Sequence, residues 1–276
     1  MDRTKLPPLT NYKVRDGQNL YYRHYACRNT KRVVVLLHGI SEDSVYLQSL
    51  AAYIANQDMG QVITPDLRGY GEHPIRRGDL DYIGQLDDDL ADLLDLLKTK
   101  FHQAEIILAG HSAGGGTALR FAASNYAGKI DRYLLLSPFV HFLAPIMKQD
   151  DNQVSTVDKK RLITGMFLNR LGYQKRNHLP VFKRNKPEEL CHGSESLTLS
   201  YRLFISRLPD DYKQAIRKLP KNTLVIIGEL DEEFDAHAFA PLFAKYSTID
   251  VDVIPNVDHD GILSSEEAFQ LITDWF

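Results

Sequence analysis

The 276-residue chain is long enough to bury a substantial core, and its 43% apolar and 25% charged residues exclude a fibrous or extensively disordered protein. A formal net charge of −3 leaves no concentrated basic face for nucleic acid, no run of about 18 apolar residues marks a membrane span, and "MDRTKLPPLTNYKVRDG" holds no apolar core of signal-peptide length. A soluble, cytoplasmic protein is therefore expected. Its two cysteines, Cys27 and Cys191, belong to no CxxC or zinc cluster and read as free thiols.

In chain order, "NYKVRDGQNLYYRHYA" (11–26) predicts a hairpin turning at Asp16-Gly17, a source of antiparallel edge strands. Six apolar runs follow: "RVVVLLHG" (32–39), "QVITPD" (61–66), "AEIILAGHS" (104–112), "DRYLLLSP" (131–138), "NTLVIIGELD" (222–231) and "IDVDVIPN" (249–256). Most are nearly continuous in apolar character, as strands buried on both faces are, and segments of helical periodicity alternate with them. The expectation is a mostly parallel sheet flanked by helices. "DDDLADLLDLLKTKF" (87–101) predicts a surface helix, with Asp87 to Asp89 offsetting the helix dipole at its start and lysines near its end.

From Phe142 to about Arg217 no buried-strand run occurs, so this interval predicts a helical insertion after the sixth strand, between core segments 1–141 and 218–276. It holds 14 lysines and arginines against 8 acids, a balance of +6 that leaves −9 for the remainder. That asymmetry leaves open a contact with an anionic substrate or lipid, although charged insertions are usually only solvated.

The chemistry centres on "GHSAG" (110–114), which follows a predicted strand and precedes a helix. So sharp a reversal strains the serine backbone, and side chains at Gly110 and Gly114 would collide. Neither nucleotide motif fits, because Gly114-Gly115-Gly116 lacks the GxGxxG spacing and no Gly-Lys-Ser/Thr follows. Serine is a weak nucleophile that needs a histidine base oriented by a carboxylate. Of ten histidines, His259 alone lies in the loop after the last predicted strand; His111, inside the elbow, reads as a neighbour filling space. Asp231 ends the preceding run and is the preferred acid, with Glu232 and Asp235 as alternates. An oxyanion hole needs two backbone N–H donors, expected from Ala113 and from Ile40 after His38-Gly39.

These motifs resemble the α/β-hydrolase superfamily, in particular the branch of monoacylglycerol lipases, lysophospholipases and serine aminopeptidases. The carriers are "LLHG" (36–39), "DLRGYG" (66–71), "GHSAGG" (110–115), "GELD" (228–231) and "DHDGI" (258–262), in that order over nearly the whole chain. The resemblance implies the α/β-hydrolase fold, Ser112 as nucleophile, Asp231 as acid, His259 as base, the amides of Ile40 and Ala113 as oxyanion hole, a cap at 142–217, and "DLRGYG" as a structural turn. Ala113 stands where the branch often has methionine or glutamine. The expectation is a serine hydrolase, carboxylesterase- or lysophospholipase-like, that cleaves a lipid-like or small-molecule acyl ester through an acyl-serine intermediate with no cofactor or metal. Aminopeptidase or carbon–carbon bond chemistry by the same triad is an alternative, and a catalytically silent ligand-binding protein is a reading of another class.

Overall fold

In the computed structural model, which describes residues 5–148, 155–187, 189 and 191–276, the predicted runs assemble into one eight-stranded sheet. Its strands are β1 (Leu9–Lys13), β2 (Asn19–Tyr25), β3 (Arg32–Leu37), β4 (Gln61–Asp66), β5 (Glu105–His111), β6 (Arg132–Leu136), β10 (Thr223–Gly228) and β11 (Val251–Ile254). They lie in the order β1-β2-β4-β3-β5-β6-β10-β11. All pairs from β4 to β11 are parallel; β1 and β2 form the antiparallel hairpin at one edge, with Gly17 at φ 85° in its turn.

Alternation along the inner strands explains their unbroken apolar character. Val33, Val35, Leu37, Ile106 and Leu108 join one core cluster with α2 (Gln85–Lys100), α3 (Ala113–Ala123), α6 (Tyr212–Lys218) and α7 (Ala236–Tyr246). Val34, Leu36, Ile107 and Ala109 join the other, with α1 (Gln48–Asn56) and α8 (Glu266–Trp275). Each face is thus sealed by helices, as a parallel sheet requires. No helix of the described residues is long and apolar enough to cross a membrane.

Two expectations need correction. The 142–217 interval is not purely helical: besides α4 (Lys159–Arg170), α5 (Tyr201–Ser206) and α6 it carries a three-stranded antiparallel sheet of β7 (Ser155–Val157), β8 (Pro180–Arg184) and β9 (Thr198–Ser200). These strands are three to five residues long and only partly buried, so they leave no continuous apolar run to read. Residues 149–154, 188 and 190 of the interval lie outside the described residues.

The acids of α2 are the second case. Asp87 meets Arg120 at 2.9 Å, Asp88 meets Arg15 at 2.7 Å and the nearly buried Asp89 meets Arg68 at 2.7 Å. Each carboxylate therefore has its own guanidinium, from a residue 21 to 73 positions away. Pairing at that sequence distance, rather than the helix dipole alone, accounts for the acidic run.

Candidate active site

Strand β5 delivers Ser112 into a turn with φ 54° and ψ −121°, a conformation costly for a residue carrying a Cβ. The surrounding glycines show why the turn closes. A Cβ on Gly110 would lie 2.3 Å from the backbone of Gly114, and one on Gly114 would lie 2.2 Å from the carbonyl oxygen of Leu37. The Ser112 amide donates to Leu136 O at 3.0 Å, and its carbonyl accepts from Phe139 N at 2.8 Å, which ties the elbow to β6. No side-chain cap bond occupies its hydroxyl.

His259 and Asp231 come from the loops after β11 and β10. His259 Nδ1 donates to Asp231 Oδ2 at 2.7 Å, while Asp231 Oδ1 accepts the amides of Glu233 at 2.9 Å and Phe234 at 2.8 Å. Burial opposes charge on Asp231, but the bonds from His259 and the Phe234 amide outweigh it and hold the carboxyl below its ordinary pKa. Burial likewise opposes a proton on His259, and the hydrogen bond and charge of Asp231 overcome it, raising the ring above the ordinary imidazole value. With Nδ1 committed to Asp231, Nε2 is the nitrogen left to exchange a proton.

The other acids of "GELDEEFD" are separated by geometry. Glu232 accepts the His259 amide at 3.0 Å, Glu233 pairs with Arg184 at 2.6 Å, and Asp235 caps α7 by accepting the His237 amide at 3.1 Å. Only Asp231 reaches the imidazole. Lys148 donates to the Asp231 carbonyl, fixing that loop from the 142–217 side.

His111 does more than fill space. Its Nε2 donates to the His259 carbonyl at 2.9 Å, its Nδ1 lies 3.2 Å from the Tyr46 hydroxyl, and Tyr46 in turn donates to Asp260. Burial, then repulsion from His259, lowers the His111 pKa to about 3, so the ring is a neutral strut between β5 and the His259 loop. Tyr46 carries no motif, and nothing in the sequence marks it for this position. Among the described residues His111, His259 and Asp260 bring ligand atoms within 4.8 Å of one another; the His111 nitrogens face the His259 carbonyl and Tyr46, Asp260 accepts from Tyr46 and His259 Nδ1 donates to Asp231, which leaves His259 Nε2 open.

Ser112 and His259 line a polar cavity of about 30 Å³ with Gly39, Ile40, Glu42, Tyr46, His111, Arg184, Glu233 and Asp260. On its other side Ser112 borders an apolar cavity of about 80 Å³ walled by Ile40, Phe139, Met147, Val157, Phe182, Phe204 and Phe234. The Arg184–Glu233 pair lines both. The amides of Ile40 and Ala113 donate to no other group among the described residues. Behind them, "DLRGYG" forms the turn after β4: Gly69 and Gly71 have φ of 90° and 80°, and Tyr70 is buried 4.9 Å from the His38 ring.

Comparison with known proteins agrees with this architecture. A stretch of 115 residues is 33% identical to a proline iminopeptidase of Saccharolobus solfataricus, covering 40% of this chain and 35% of that one. Another of 136 residues is 28% identical to the human monoglyceride lipase, covering 49% and 43%. The chain thus spans well under half the length of the curated relatives it matches. Among solved structures, a soluble variant of monoglyceride lipase from Saccharomyces cerevisiae superposes with TM-score 0.69 at 17% identity, over 99% of this chain and 94% of that one, a likeness of fold alone. Residues 28–263 match the model of the family described as serine aminopeptidase, S33, and the chain belongs to that family of α/β-hydrolases.

Proposed function

We propose that this protein is a serine hydrolase that cleaves carboxylic esters with a short acyl chain through an acyl-Ser112 intermediate. The observation that carries the reading is the 2.7 Å bond that His259 Nδ1 donates to Asp231, from a ring that shares its cavity with a serine on a strained elbow. His259 Nε2 takes the Ser112 proton as Oγ attacks the ester carbonyl carbon. The oxygen, now anionic, receives hydrogen bonds from the Ile40 and Ala113 amides, a contribution of about 3 kcal/mol for each donor. The tetrahedral species collapses, the imidazolium gives its proton to the departing alkoxide, and the alcohol leaves. Water then attacks the acyl-serine with His259 again as base, releasing the carboxylic acid and restoring Ser112.

The two cavities support a division of the substrate, with the acyl chain among the phenylalanines and the alcohol toward Glu42, Tyr46 and Asp260. About 80 Å³ suits an acyl chain of a few carbons. Cleavage of an N-terminal peptide bond by the same groups draws support from the family description, and a peptide ammonium group would need a free carboxylate. Glu42 is paired with Lys186 at 3.1 Å and Glu233 with Arg184, which leaves Asp260, bonded to the neutral Tyr46 hydroxyl, as the lining carboxylate without a cation among the described residues; the apolar wall beside Ser112 favours esters. On and just after α4, the exposed Ile163, Phe167 and Leu171 stand among Lys159, Lys160 and Arg170, which supports peripheral contact with anionic lipid; co-sedimentation with phosphatidylserine vesicles tests it.

A fluorophosphonate probe should label the wild type at Ser112, and short p-nitrophenyl esters should turn over faster than aminoacyl amides. Full turnover by Ser112→Ala would sink the assignment. An unlabelled wild type would revive the silent ligand-binding reading.

A further inference from the structure

Behind the loop that follows β3 lies Arg207, just past the C-terminal end of α5 and the largest fully buried side chain of the described residues. Its Nη2 donates to the His38 carbonyl at 2.5 Å and to the Gly39 carbonyl at 3.4 Å, and its guanidinium sits 5.2 Å from the centre of the Tyr70 ring. Nε and Nη1 have no hydrogen-bond partner, and no carboxylate pairs with Arg207 among the described residues. A buried cation so poorly compensated costs stability, and an apolar side chain of similar volume would be the more stable filling. Packing alone does not account for it.

The groups it touches do. The His38 ring accepts the Leu67 amide on Nε2 at 3.2 Å, so its proton is on Nδ1, which donates to the Gly39 carbonyl at 2.9 Å. Arg207 and His38 therefore hold that carbonyl from behind. No peptide bond among the described residues is cis, and in a trans peptide the C=O and N–H point in opposite directions. Drawing Gly39 O toward Arg207 turns the Ile40 N–H the other way, toward the cavity that Gly39, Ile40 and Ser112 line.

We propose that Arg207, acting with His38, is a positioning residue for the oxyanion hole. It fixes the direction of the Ile40 donor, and its unpaired charge polarises the Gly39–Ile40 peptide toward a developing anion. Arg207 touches neither substrate nor reacting atoms. The inference rests on the acyl-serine reading above.

The test compares wild type, Arg207→Met and Arg207→Lys on a short ester, with rates expressed per active site counted by fluorophosphonate titration. Arg207→Met should lose about 10- to 100-fold in kcat with KM within about twofold, and the Ki of a boronic acid that mimics the tetrahedral adduct should rise by the same factor. Arg207→Lys should fall between. A merely structural arginine would reduce the number of titratable sites and leave kcat per site and the boronate Ki unchanged, which overturns the proposal. Where Arg207→Met fails to fold, Arg207→Lys decides on the same two readouts. An unlabelled wild type removes the acyl-serine reading and this inference with it, whereas a labelled wild type beside an unaffected Arg207→Met or Arg207→Lys removes this inference alone.

Discussion

The strain at Ser112 can be measured by exchanging one inactive residue for another. At ordinary positions glycine is less stable than alanine by about 0.5–1 kcal/mol, because it loses more backbone freedom on folding. At φ 54° and ψ −121° the order should reverse, since a residue with a Cβ bears about 1–3 kcal/mol of strain that glycine escapes. The hydroxyl makes no cap bond, so both Ser112→Ala and Ser112→Gly remove a group that holds nothing in place. The difference left is a gain for glycine of about 1 kcal/mol, equivalent to about 2–4 °C in Tm for a chain of this size. Calorimetric melts of the two variants give the number directly. A glycine variant that melts at or below the alanine variant would refute the claim that the elbow stores backbone strain.

Asp231→Asn should lower kcat by about 10³- to 10⁴-fold by releasing the imidazole tautomer. On the proposed mechanism the unprotonated His259 is the active form, so kcat/KM should fall as pH drops through a pKa above the ordinary imidazole value, and the limb should move to lower pH in Asp231→Asn, where burial acts without its opposing charge. In urea unfolding, Asp89→Ala should cost about 2 kcal/mol by leaving the nearly buried Arg68 with Asp16 alone, at 2.9 Å, while Asp58→Ala, which frees the 93% exposed Arg28, should shift the midpoint less. Arg184→Ala should join the two cavities beside Ser112, raising activity on branched or longer acyl esters relative to acetate in a chain-length series.

What could be read before the structure follows from how strongly one residue constrains its neighbours. Strands buried on both faces tolerate almost nothing polar, so β3, β5, β6 and β10 stand out as apolar runs, and the elbow stands out because only small residues fit between β5 and α3. The 142–217 interval gives weaker signals. Of the residues of α4 only Leu162 is buried, while Ile163 and Phe167 face outward, so the period of apolar residues there does not trace a core face. Arg207 in "SRLPDD" looks like any surface arginine, and its burial depends on carbonyls nearly 170 positions away. Among the crowded acids after β10, composition could not separate Asp231 from Glu232, which reaches the amide of the same histidine whose ring Asp231 holds.

Ser112 and Asp231 follow two strands, β5 and β10, that lie in the sheet interior on either side of the wholly buried β6. Much of the apolar cavity is borrowed from the short, half-exposed pieces that carry Val157 and Phe182. Amide exchange should accordingly be slowest beneath the chemistry and faster around the acyl wall. On warming, discrimination between esters should erode over a range in which the proposed turnover persists, so that the protein becomes indiscriminate before it becomes inactive.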